Sequence, residues 1–331
     1  MVRRGSTPPF HGPTGEILPG SIAEAGDLRL GGVEQWVMIR GESAANPPLI
    51  LLHGGPGMTE TTLFRHFNAE LEKSFTVVYW DQRGAGRSFH PNIPTATMNV
   101  EQFVADLGEL VELVCKRLAA SRVVLYGHSW GSALGVLYAA RHPERVGAYA
   151  GSGQIGDWAA AESASYAFTL AEAERRGNAK AVRDLRAIGP PPFGVDALMK
   201  ERMWLQRFDG QLTARALWPF ARAVLRVPEA SILDLPKVVR GFRFSLDAMW
   251  SEASKLNLLE LAPSLQMPVF FFLGRLDRWV PPETSVAYYE ALTAPSKRLV
   301  WFEESRHEPF VDEPAKFNTA MVESVRPIVA P

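Results

Sequence analysis

The sequence has 331 residues, 47% of them hydrophobic, with 35 Lys and Arg against 36 Asp and Glu for a formal net charge of -1. Such a chain can bury a large core, and its balanced charge excludes the global attraction to nucleic acid or acidic membranes that a strongly basic protein shows. With Cys115 alone it closes no internal disulfide, and Met1-Val-Arg-Arg leads into Gly-Ser-Thr-Pro-Pro rather than an apolar leader; with no run of membrane-spanning length, a cytoplasmic location is expected.

Residues 1–20 are rich in Pro and Gly and are expected to form an irregular arm. Ser21–Leu30 and Val33–Arg40 predict a hairpin around Gly31-Gly32. Leu49–Leu52, Thr76–Trp80, Val123–Gly127 and Val146–Gly151 predict strands that alternate with helical stretches, as a doubly wound sheet requires. One of those helices, through Val100, Phe103, Leu107, Leu110, Val111 and Val114, would bury the Cys115 thiol. The alternation then stops. From 153 to 262 the pattern is helical, broken by Gly189-Pro190-Pro191-Pro192 and Pro228, and strands resume with Pro268–Leu273 and Arg298–Phe302 before a last helix from Pro314 to about Val325. Two units follow: a core of residues 1–152 and 263–331, and a helical cap of 153–262 inserted after the sixth of eight strands.

Gly127-His128-Ser129-Trp130-Gly131 lies between an apolar strand pattern and a helical one. A serine on a sharp strand-to-helix turn exposes its hydroxyl at the strand end, and the flanking glycines relieve crowding there. Serine is a weak nucleophile by itself, so a histidine base, an acid to orient it and donors for an oxyanion are required. His307, in the polar loop after Arg298–Phe302, is the candidate base. Asp277, in the loop after Pro268–Leu273, is the candidate acid, with Asp157 after Val146–Gly151 as its rival. Glu303, Glu304 and Glu308 read as a solvated loop face. The turn His53-Gly54-Gly55-Pro56-Gly57 can supply one oxyanion N–H, and Trp130, opening a helix, the other.

His53-Gly-Gly-Pro-Gly57, Asp81-Gln-Arg-Gly-Ala-Gly-Arg-Ser88 and Ser129-Trp130-Gly131, with Asp277 and His307, resemble the proline iminopeptidase family of α/β-hydrolases across nearly the whole chain. The resemblance implies an α/β-hydrolase fold, a mostly parallel eight-stranded sheet flanked by helices. It also implies a Ser129, Asp277, His307 triad and an oxyanion hole from Gly55 (or Gly54) and Trp130. The Asp81–Ser88 loop reads as scaffold, its charged groups satisfying one another and the backbone. Family aminopeptidases usually carry Gly-Gly-Ser-Trp-Gly at the elbow; His128 in the second position leans the reading toward an esterase.

The expected reaction is acyl transfer through Ser129 on an ester or amide of a small, largely apolar substrate. The alternatives are a prolyl aminopeptidase acting on peptides and, more remotely, a non-catalytic receptor on the same scaffold. Trp204, Phe208, Trp218 and Trp250 are candidate pocket walls, and Glu201 a candidate ammonium partner. No H-E-x-x-H, paired cysteines or G-x-G-x-x-G opening the first βα unit appears, so no metal or organic cofactor is expected, and neither nucleic acid nor membrane is expected as a partner.

Overall fold

Pro48–Leu52, Thr76–Trp80, Val123–His128 and Val269–Gly274 are buried at every position, the mark of parallel strands covered on both faces. The structure, a computed structural model, describes residues 4–5, 7–209 and 221–329. Its strands are β1 Arg4–Gly5, β2 Ile22–Leu30, β3 Val33–Gly41, β4 Pro48–Leu52, β5 Thr76–Trp80, β6 Val123–His128, β7 Val146–Ser152, β8 Val269–Gly274 and β9 Lys297–Phe302. They form one sheet in the order β1-β2-β3-β5-β4-β6-β7-β8-β9, antiparallel through the β3–β5 pair and parallel from there on. The eight expected strands are all present.

The arm needs correcting. Arg4 and Gly5 pair with Gly26 and Ala25 of β2 as a ninth, edge strand, and His11 bridges to Ile17. Residues 1–3 and 6 lie outside the described residues. Backbone pairing of this kind leaves no pattern in side chains.

The helices flanking the sheet are α1 Thr61–Phe67, α2 Val100–Leu118, α3 Trp130–Arg141, α8 Pro282–Ala291 and α9 Pro314–Ala320; between β7 and β8 come α4 Trp158–Arg175, α5 Ala179–Ile188, α6 Val195–Phe208 and α7 Leu235–Ala253. Successive residues of β4 point to opposite faces. Ile50 and Leu52 belong to one buried layer with Leu107, Leu110 and Val111 of α2 and Leu134 and Leu137 of α3, whereas Leu49 and Leu51 belong to the other, with Phe64, Phe310 and Phe317. Cys115 is buried in the first of these layers, and burial raises its thiol above the usual value. The Asp81–Ser88 loop is scaffold in part as expected: Asp81 accepts the Arg87 backbone N–H at 2.9 Å and its carbonyl accepts the Ser88 hydroxyl, but the guanidiniums reach outside the loop, Arg83 to Asp106 of α2 at 2.8 Å and Arg87 to Asp234 at 3.0 Å.

The elbow glycines are required by close approach. A Cβ on Gly131 would stand 1.9 Å from the carbonyl oxygen of Leu52 in β4, and one on Gly127 would stand 2.4 Å from the Gly131 carbonyl oxygen. Backbone cannot yield as a flexible side chain does, so Gly131→Ala must push α3 off the sheet. Its urea midpoint is expected to fall by the equivalent of about 3 kcal/mol or more; an unchanged midpoint would contradict the packing described.

Candidate active site

Ser129 stands between β6 and α3 with φ 52° and ψ -120°, a conformation that residues with a Cβ rarely adopt. Local bonds hold it there. Its N–H donates to the Ser152 carbonyl at 3.0 Å, and its own carbonyl accepts from the Ser132 N–H at 2.9 Å and the Ser132 hydroxyl at 2.6 Å. The turn therefore ends β6 at the carboxyl edge of the sheet, where ligands of open α/β sheets bind.

Asp277 and His307 meet at that same edge. One carboxylate oxygen of Asp277 accepts the backbone N–H of Trp279 at 2.8 Å and of Val280 at 3.0 Å, and the other lies 2.8 Å from His307 Nδ1. A carboxylate can only accept, so Nδ1 carries the proton and Nε2 keeps its lone pair. Burial pulls the His307 imidazole below its usual pKa, against the pull of Asp277. The ring is closely walled: a Cβ on Gly153 would sit 2.6 Å from its Cε1, and the Trp279 ring stacks on it at 5.5 Å and 14°. Asp157 is elsewhere, capping α4 by accepting from the Ala160 N–H at 3.1 Å. Glu303 and Glu304 are exposed as expected, but Glu308 is half-buried, and burial pushes its carboxyl up to about 7.

The glycine turn approaches the elbow from the end of β4. Gly54 gives its N–H to Glu60 Oε1 at 2.9 Å, so of the two glycines Gly55, with φ 116°, remains as a donor. Trp130 occupies the first position of α3, where a backbone N–H has no partner within the helix. Its indole donates to Gln82 Oε1 at 2.9 Å, and Gln82 in turn donates its side-chain amide to the His53 carbonyl at 3.1 Å. Gln82 thereby ties the elbow to the glycine turn. His53 is fixed below them, accepting the Gln82 N–H on Nε2 at 3.0 Å.

The helices between β7 and β8 place the other candidates. Trp204 stacks on Phe208 at 5.9 Å and donates to Asp184, while Trp250 donates to the Phe193 carbonyl and meets Trp158 edge-on at 5.7 Å. These are contacts within the insertion's own core. Trp218 lies outside the described residues. Glu201 is fully buried and holds Thr169 and Arg202; Arg202 also pairs with Glu162, whose carboxyl has the Trp158 side chain as a further polar neighbour. The Arg202 guanidinium stands 5.3 Å from the centre of the Trp279 ring, the same ring that stacks on His307. Sequence reasoning missed Glu162 and Arg202, as charged positions on a helix ordinarily face water, and it missed Glu60. A carboxylate three residues beyond the glycine turn was its only signal.

Residues 47–183 match the α/β-hydrolase fold family. A proline iminopeptidase of Heyndrickxia coagulans is 27% identical over 83% of this chain and 89% of its own. A probable aminopeptidase of Bacillus subtilis is 32% identical over 92% of this chain and 97% of its own. The chain belongs to the proline iminopeptidase-like α/β-hydrolases. This hydrolase also shares its fold with the proline iminopeptidase of Mycobacterium smegmatis, at a TM-score of 0.64 and 22% identity, over 92% of this chain and 98% of that one. Among its described residues, no helix of this proline iminopeptidase-like hydrolase is long and apolar enough to cross a membrane, and no group of three or more metal-ligating side chains occurs.

Proposed function

We propose that this hydrolase works through an acyl enzyme on Ser129. His307 Nε2 takes the serine proton as the hydroxyl attacks an ester or amide carbonyl, Asp277 holds the imidazole in the required tautomer, and the N–H groups of Gly55 and Trp130 receive the oxyanion. Water then releases the acyl group by the reverse proton path. The observation that carries this is the 2.8 Å Asp277–His307 bond at the strand edge where the strained Ser129 turn ends β6.

For the substrate we propose an acyl group bearing a free amine. His128 gives its nitrogens to Glu60 and the His307 carbonyl, so the elbow residue that leaned toward an esterase offers a substrate nothing. Among the described residues, Glu162 and Glu201 share the one guanidinium of Arg202. Burial raises the Glu162 carboxyl accordingly. A substrate ammonium would supply a second cation for the two buried carboxyls. The relatives named a probable aminopeptidase and a proline iminopeptidase favour the same class. A series of amino acid p-nitroanilides, each with its N-acetyl counterpart, tests this. The free amine is expected to be preferred by roughly tenfold or more in kcat/KM, and Glu162→Gln to erase the preference. Equal turnover of the acetylated partners would return the reading to an esterase.

A further inference from the structure

Directly behind the catalytic edge lies an ion pair that the acyl-transfer chemistry does not use. Glu60 and His128 have side chains 8% and 3% exposed, and His128 Nδ1 lies 2.6 Å from Glu60 Oε1. The same oxygen accepts the Gly54 N–H at 2.9 Å. On its other side His128 Nε2 meets the backbone carbonyl of His307 at 2.9 Å. Carboxylate and carbonyl oxygens both accept only, so both ring nitrogens must donate, and that requires the imidazolium. Burial opposes the charge, but the charge and hydrogen bond of Glu60, the nearby Glu308 and the His307 carbonyl lift His128 to about 9.

We propose that the Glu60–His128 pair is a positioning device that locks the oxyanion turn, the nucleophile elbow and the base loop in one register, and that its fixed cation keeps His307 unprotonated. The pair joins three segments distant in the chain: Gly54 with Glu60, His128 beside Ser129, and the main chain of His307. An imidazole follows its own backbone, so anchoring that carbonyl aims the base. The rings of His128 and His307 are 4.6 Å apart, and a like charge at that range disfavours protonation of the base. Other groups face the pair. His53 is neutral, since its Nε2 accepts from Gln82; Glu308 flanks His128; Asp277 lies on the far side of the His307 ring; and Phe310 closes the remaining side at 5.3 Å.

This inference rests on the acyl-enzyme reading, so its test has arms that fail separately. In the first, histidine labelled with ¹⁵N reports protonation directly. At pH 8 one imidazole, absent from His128→Gln, is expected to be protonated on both nitrogens, and a singly protonated His128 would overturn the proposal. In the second, kcat/KM for an activated p-nitrophenyl ester is followed with pH. Glutamine keeps a donor toward the His307 carbonyl but removes the cation, so the acid limb is expected to move up by about one pH unit. Glu60→Gln removes the partner that holds the His128 proton together with an anion that itself raises His307, so it is read by ¹⁵N alone: His128 is expected to lose one proton at pH 8, which keeps the test open if His128→Gln does not fold, and a His128 still protonated on both nitrogens would overturn the proposal. A merely structural brace would lower the rate by one factor at every pH, and that result would overturn the proposal. Failure of a fluorophosphonate to label Ser129 in the wild type would instead bring down the acyl-enzyme reading, with the ¹⁵N result still judging the pair.

Discussion

Ser129→Ala is expected to lower kcat by about 10⁶ while leaving the fold in place. Alanine keeps the Cβ, so the elbow at φ 52° is neither relieved nor worsened, and the backbone bonds to Ser152 and Ser132 do not involve the hydroxyl. What is lost is the attacking atom of the proposed acyl transfer. The remaining rate would come from the oxyanion donors and from substrate binding, which in triad enzymes retain about 10³–10⁴ over water. Because the serine and the base act as a unit, the double variant Ser129→Ala with His307→Ala should be hardly slower than either single one. Single-turnover assays with an activated ester, alongside the melting temperature, check both halves of the expectation. Turnover within tenfold of the wild type would remove Ser129 from the chemistry.

The strands were readable because their signal is local. Runs such as Val123-Val-Leu-Tyr126 and Val269-Phe-Phe-Phe-Leu273 are buried on both faces, so nearly every residue is apolar and the turn that follows is marked by glycine. Ser129 and Asp277 each follow such a strand, His307 follows the half-buried edge strand β9, and the sheet alone brings the three ends together. Contacts between charged side chains carry no comparable signal. Glu60 and His128 are 68 residues apart, and Arg202 meets Glu162 across 40 residues; each would be assigned to solvent if judged by residue type. Pairing is what permits their burial. Glu308 reads as a solvated loop residue for the same reason, although its neighbours Pro309 and Phe310 are buried and draw it inward. The large aromatics of the insertion are ambiguous in the opposite sense. Trp204 and Phe208 look like pocket walls in sequence, yet helices that stand above a sheet must bury a core of their own, and these residues form it.

Asp277→Asn should preserve the loop and still cost about 10⁴ in kcat. The two backbone donors, Trp279 and Val280, already fix one oxygen of the side chain as an acceptor. An asparagine that keeps those bonds must turn its NH₂ toward His307 Nδ1. A donor facing Nδ1 moves the ring proton to Nε2, the atom that has to accept from serine, so the base is present in the wrong tautomer. The same change removes the anion that raises the His307 pKa, leaving burial and the His128 cation to lower it. The acid limb of the residual activity should therefore move to lower pH, opposite in direction to the shift expected from His128→Gln. Asp157→Asn serves as the control: Asp157 caps α4, and its replacement should cost at most about 1 kcal/mol of stability with turnover kept. If Asp277→Asn kept wild-type turnover and Asp157→Asn lost it, the acid would belong to the strand before the insertion. The 2.8 Å contact with His307 would then be structural, and the tautomer argument would fall with it.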